Sequence, residues 1–279
     1  MDSIDTYLDQ IHGYPGVSAL GLLSLLLLAI LRLAPIVAFV PFFGAKLSPA
    51  PTRILISIAF ALFFMPVILS ASTFHLSFDF AFLGYAIKEL FIGFLIAFLA
   101  MIPFIIANSA GLIIDYMRGA SIMQMQDPSM QAPSSPIGQL YNYMLILIFF
   151  LVDGPFFFFD ALSQAFRILP VDALLHPQAL ALNTPMAKLI IDLVNQIMTI
   201  AIQLGAPAIL AILMAEMFLG IANRLAQQVQ IAFLGMSLKS LAGLTLLWAG
   251  WFFTLKVLSK QTFDWFKMID NLIISLKTY

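Results

Sequence analysis

Six long apolar runs follow one another along this chain, at residues 17–43, 54–71, 80–107, 137–159, 186–219 and 238–258. A helix needs about 20 mostly apolar residues to cross roughly 30 Å of hydrocarbon, and the runs are of about that length or longer. The connectors are too short to hold a separate soluble domain, so a single membrane module is expected. Of the 279 residues, 62% are hydrophobic and only 10% charged, against about 25% charged in an ordinary soluble domain. No run shows the alternation of a strand, and a closed barrel in lipid needs many short alternating segments. The expected fold is therefore all-α: a polytopic membrane protein of helical hairpins with about six hydrophobic segments.

Prolines punctuate these runs. Pro35 and Pro41 interrupt the first, Pro66 breaks the second, Pro103 lies in the third, and Pro207 is the expected break in the fifth. Residues 44–51, Gly-Ala-Lys-Leu-Ser-Pro-Ala-Pro, form a short turn that makes the first two runs a hairpin. After the third run the hydropathy collapses into a polar, Met-rich segment at 108–136. A connector with proline and histidine spans 169–185, and an amphipathic tail with Trp265, Phe266, Ile269, Leu272 and Ile273 follows the sixth run.

Charge is distributed unevenly. Asp2, Asp5 and Asp9 open the chain, and Lys256, Lys260, Lys267 and Lys277 close it. Six spans would place both ends on one side, yet the acidic start and the lysine-rich end predict opposite sides. Either one run does not span, or partner proteins hold helices that disobey bilayer rules individually. The start has no basic region and no small-residue cleavage site, so no removable signal peptide is expected.

Little here suggests catalysis. There are no cysteines, which excludes disulfides, iron–sulfur ligation and thiolate zinc sites. His12, His75 and His176 are far apart and fit no metal spacing, and no nucleophile elbow, phosphate loop or dinucleotide fingerprint occurs. Asp153 and Asp160 read as a helix-end turn rather than a carboxylate pair. No catalytic residue, cofactor, metal site or nucleic-acid partner is expected, and the chain reads as a non-enzyme.

Three constellations stand out. Glu89, beside Lys88 and four residues before Gly93, is an ionisable group inside an apolar run, where it is expected to face a bundle interior, a subunit contact or a water-filled path. The alternative is a Lys–Glu pair reaching headgroups at a helix mouth. Glu216 is similar but nearer the end of its run. The segment 115–130, with Asp115, Met117, Arg118, Gly119, Met123, Met125, Asp127, Pro128 and Met130, is too polar to span and too apolar for an ordinary wet loop. Unbranched, polarizable Met side chains suit either a deformable seal or filler against neighbouring helices. The block 224–239, with Arg224, Gln228 and Lys239, offers amides for interhelical hydrogen bonds, or is a basic cytoplasmic loop.

At these segments the chain resembles the export-gate subunits of type III secretion systems, the FliR/SctT family. The resemblance rests on Glu89 with Gly93, Gly111 with Asp115, Asp127-Pro128, and Arg224, Gln228, Phe233, Gly235 and Lys239; Gln227 stands where the family has Pro, and Gln230 where it has Asn. It implies a structural, pore-forming part of the gate that conducts unfolded proteins across the bacterial inner membrane, within the secretion-system basal body. The implied partners are sister subunits like FliP/SctR and FliQ/SctS, a switch protein like FlhB/SctU, the exported proteins and membrane lipid. The resemblance also implies that residues 1–185 are like the first sister and 186–279 like the second, with 113–131 as pore plug. The alternative is a small-molecule or ion transporter, for which Pro103 and Pro207 would supply broken helices.

Overall fold

The computed structural model describes residues 19–44, 48–72, 80–119, 135–173, 185–225, 231–260 and residue 265. Its helices are α1 (Ala19–Phe39), α2 (Ala50–Ala71), α3 (Phe80–Met117), α4 (Pro136–Leu151), α5 (Gly154–Ile168), α6 (Pro185–Leu225) and α7 (Ile231–Ala249). A short α8 (Trp251–Lys260) follows Gly250. No strand occurs among the described residues. Four helices carry windows fit to cross a membrane, Leu20–Phe39, Ala50–Ala71, Phe82–Met117 and Ile191–Leu225; the number reaches six if the bent pairs α4–α5 and α7–α8 each count as one span. The chain is thus a multi-pass, all-helical membrane protein.

Helix α1 shows how so apolar an element acquires an inner face. Leu25, Leu28, Ala29, Leu33, Ile36 and Val37 are buried at helical spacing, while Leu20, Leu23 and Leu27 on other faces are exposed. In a soluble protein the outer face would be polar. Here it is leucine, as a helix meeting lipid or another apolar helix requires.

Pro41 interrupts the first run as expected, but the other expected proline breaks are not observed. Pro35 lies inside α1, Pro66 inside α2, Pro103 inside α3 and Pro207 inside α6. Each removes one hydrogen-bond donor, but unwinding would strip several more backbone groups of partners where no water can replace them. The interruptions fall elsewhere. Asp153 takes a left-handed conformation (φ 57°), with Pro155 in the first turn of α5 where its missing N–H is no loss. Gly250 separates α7 from α8, which diverge by 61°. Pro41 opens a 3-10 turn at Pro41–Phe43 that ends on Gly44 (φ 75°).

The chain forms two compact units, each drawn from separate stretches. The first holds α1, α2, α3 as far as Met101, and α5. The second holds α3 from Ile102, α4, α6 from Ile191, α7 and α8. In the first unit the phenylalanines of α5 pack against α2 and the turn after α1: Phe158 meets Phe42 edge-on at 5.2 Å, Phe159 meets Phe60 at 5.3 Å, and Phe166 meets Phe64 at 5.7 Å. Such ring pairs add about 0.5–1.5 kcal/mol each beyond their buried area.

Candidate functional site

In the first unit, Glu89 on α3 and Arg32 on α1 are both 0% exposed. The Arg32 Nε donates to Glu89 Oε2 at 2.5 Å and Nη2 to Oε1 at 2.7 Å, a side-on fork. Lys88 Nζ lies 2.6 Å from Glu89 Oε1. Two cations thus share one carboxylate, with the Asp172 carboxylate also acting on Lys88, and backbone carbonyls complete the site: Arg32 donates to those of Ala165 (3.2 Å) and Leu169 (2.7 Å). Lys88 donates to those of Pro170 (2.8 Å), Val171 (3.1 Å) and Ala173 (2.8 Å). The Ala165 carbonyl closes the last turn of α5 and also accepts the Leu169 N–H, while the other four carbonyls lie just beyond the helix, at the negative end of its dipole. The Arg32 guanidinium also lies 4.5 Å from the Phe166 ring centre.

Gly93 lies one helical turn beyond Glu89 on the same face. A Cβ there would overlap the backbone carbonyl of Arg32, so the glycine sets how closely α1 and α3 cross. The face read from the Glu89–Gly93 spacing is therefore the α1–α3–α5 contact. Glu89 is buried at this contact within the chain.

In the second unit, Asp115 is buried near the end of α3. Its Oδ1 accepts from Arg118 Nε (2.6 Å) and its Oδ2 from Ser135 Oγ (2.6 Å) and the Ile137 backbone N–H (3.1 Å). Ser135 is the N-cap of α4, accepting from the Gly138 N–H at 2.9 Å. A carboxylate and a hydroxyl thus satisfy the free donors at the start of α4, where negative charge is favoured. Gly111 faces Gly138 so closely that a Cβ would overlap the α4 backbone. Arg118 Nη1 also donates to Ser240 Oγ on α7 at 3.3 Å. Gly119 (φ 89°) ends the described part of this turn. Met117, Arg118 and Gly119 are half-buried here. Met123, Met125, Asp127, Pro128 and Met130 lie outside the described residues.

Helices α6 and α7 meet in a fixed antiparallel register. Gly243 faces Ile212, Lys239 faces Glu216 and Gly235 faces Leu219. The Lys239 Nζ to Glu216 Oε1 distance is 2.5 Å, with the Glu216 side chain 54% exposed. Gly235 and Gly243, eight residues apart on this face, are the small residues that let the helices approach. Arg224 is exposed at the end of α6, and Gln228 lies outside the described residues. Of the polar residues singled out in the sequence that lie among the described residues, only Glu216 and Lys239 pair with each other across helices.

Arg32 is the residue that sequence reasoning overlooks. Its signal is a lone cation inside a 20-residue apolar window, where an ionisable side chain has to find a partner. Ser135 and Gly138 are likewise missed, although a serine before a proline and a helical pattern is an N-cap signature. No group of three or more metal-binding side chains converges among the described residues.

A family model described as "Bacterial export proteins, family 1" matches residues 23–264. The Salmonella typhimurium secretion system apparatus protein SsaT is 31% identical over 167 residues, 60% of this chain and 62% of that protein. The Yop proteins translocation protein T of Yersinia pestis is 34% identical over 153 residues, 55% of this chain and 57% of that protein. These two matches therefore span less than two thirds of the relatives' lengths. The flagellar biosynthetic protein FliR of Bacillus subtilis is 28% identical over 225 residues, 80% of this chain and 84% of that protein.

Proposed function

The chain belongs to the bacterial export proteins of family 1, and we propose that it is a structural, pore-forming subunit of a type III secretion export gate in the bacterial inner membrane. In this role it helps conduct unfolded proteins, contributes no catalytic step, and works with sister subunits like FliP/SctR and FliQ/SctS and a switch protein like FlhB/SctU. The observation that carries the reading is the family match over residues 23–264, shared with both secretion-system and flagellar proteins. The use of buried charge supports it: Arg32, Lys88, Glu89 and Asp115 tie helices to one another and to helix ends, which suits a scaffold. The transporter alternative relied on helices broken at Pro103 and Pro207, and both prolines lie within continuous helices.

Residues 1–185 are taken as the part like the first sister subunit and 186–279 as the part like the second, with 113–131 as the pore plug. Deleting the gene should abolish release of the system's substrates into the medium, and the intact chain should restore it. Undiminished export without the chain would remove this function. Deletion of 119–126 should leave the complex assembled and raise passage of small ions or dyes; an assembled complex that stays as tight would remove the plug.

A further inference from the structure

Asp115 is 3% exposed near the end of α3, and its two oxygens serve opposite ends of one stretch of chain. Oδ1 accepts from Arg118 Nε at 2.6 Å, one residue before Gly119 (φ 89°). Oδ2 accepts from Ser135 Oγ at 2.6 Å, twenty residues later along the chain, and from the Ile137 N–H at 3.1 Å in the first turn of α4. Helix α7 closes a third side: Arg118 Nη1 donates to Ser240 Oγ at 3.3 Å, and Gly119 lies beside Met236. One carboxylate therefore gathers the residues on either side of the stretch between Gly119 and Ser135.

Other contacts already hold these helices together and begin the cap of α4. Gly111 and Gly138, about one turn further in, keep α3 and α4 in backbone contact. Ser135 accepts the Gly138 N–H as N-cap. A further buried carboxylate is costly unless it is paired, and here its pairing falls at the two points where helix gives way to connecting chain. Helix ends fray because their outermost N–H and C=O groups lack intrahelical partners. Each residue that unwinds goes from about 1.5 Å of rise to as much as roughly 3.5 Å. Fraying at this point would lengthen the connecting stretch from both sides while α3 and α4 stayed paired.

We propose that Asp115 is the positioning residue of the seal: with Arg118 and Ser135 it fixes both roots of the stretch between Gly119 and Ser135, and so keeps the closed gate tight. This rests on the proposed function, which takes that stretch to hold most of the plug. Buried within the chain, Asp115 lines no passage itself. It acts through the residues it holds, by denying the stretch the slack that frayed helix ends would give it.

The test uses the full chain co-expressed with its sister subunits in membranes, and reads passage of small ions or dyes separately from assembly. Asp115→Ala, which frees both roots, should leave the complex assembled and raise passage severalfold, toward the level of the 119–126 deletion. Arg118→Ala, which frees one root, should raise it less. Because the chain has no cysteine, Asp115→Cys with Ser135→Cys gives a reversible form of the same anchor. Side chains that meet at 2.6 Å face one another as a disulfide requires, so the oxidised complex should be as tight as the unaltered one and become leaky on reduction. A carboxylate that only stabilised the fold would change assembly or thermal stability and leave passage through the assembled complex unmoved. An assembled Asp115→Ala complex that stays tight would overturn the proposal. So would a cysteine pair that does not cross-link, or one equally permeable before and after reduction. If the 119–126 deletion leaks and these variants do not, only this inference falls; if the deletion itself stays tight, the plug reading falls and this inference with it.

Discussion

Glu89 and Glu216 are the same residue type, both on long apolar helices and both with a lysine close by, at 2.6 Å and 2.5 Å. Glu89 is fully buried and Glu216 is 54% exposed. The difference lies in what surrounds each pair. Glu89 is held by a bidentate arginine, and the two cations beside it are completed by five carbonyls at and beyond the end of α5. Glu216 has Lys239 and open surroundings. Removing one member of a buried ion pair costs about 3–5 kcal/mol because the other is left unpaired, whereas an exposed pair is worth about 0–1 kcal/mol.

That contrast can be broken at several points, all measured as unfolding of the chain within its purified complex. Glu89→Ala has the largest expected effect, a loss of about 3–5 kcal/mol, because Arg32 and Lys88 are left buried with surplus charge. Replacing Arg32 and Glu89 together by leucine should recover part of that loss, and a double variant worse than either single one would contradict the account of the charge.

Gly93→Ala comes next, at about 1–3 kcal/mol, since the added methyl group meets the α1 backbone and not a side chain that could turn away. Wild-type stability in that variant would mean that α1 and α3 do not cross at Gly93. Asp115→Asn should cost about 1–2 kcal/mol through the lost Arg118 pairing and a weaker cap on α4. Asp115→Ala should cost more than the Asn variant, because it also removes the acceptor for Ser135 and Ile137. Equal losses would show that the charge, and not the cap, carries the effect.

Glu216→Ala should shift stability by less than about 1 kcal/mol, and added salt should shrink that shift further. Arg224→Ala should leave the chain's own stability near that of the unaltered protein, because Arg224 is exposed. A loss of secretion in that variant with the fold intact would assign Arg224 to a contact between subunits.

Much of the architecture is legible in the sequence because hydrocarbon leaves few choices: long apolar runs become helices, and none of the described residues form strands. Glu89 is legible as interior for the same reason, and Glu89 with Gly93 fall on one face by spacing alone. Its partner is not legible, because Arg32 is 57 residues away and any of the other helices could have met that face. The prolines mislead because soluble-protein intuition lets water rescue a broken turn, which an apolar environment does not. Asp115 reads as part of a polar segment, yet it caps α4. The signal for that is the Ser135-Pro136 helix start twenty residues later, and joining the two takes the fold. Glu216 and Lys239 are each visible, but their pairing depends on where the turn between α6 and α7 is centred, which composition does not fix.

The account turns on buried charge acting as a lock between helices, and a pair of double-mutant cycles tests it most directly. Arg32→Ala and Glu89→Ala, singly and together, give one coupling energy; Glu216→Ala and Lys239→Ala give the other. The first coupling is expected toward the upper end of the range of about 0.5–3 kcal/mol seen for residues in contact, and the second below about 1 kcal/mol. Equal couplings, or a larger one at Glu216–Lys239, would contradict the account.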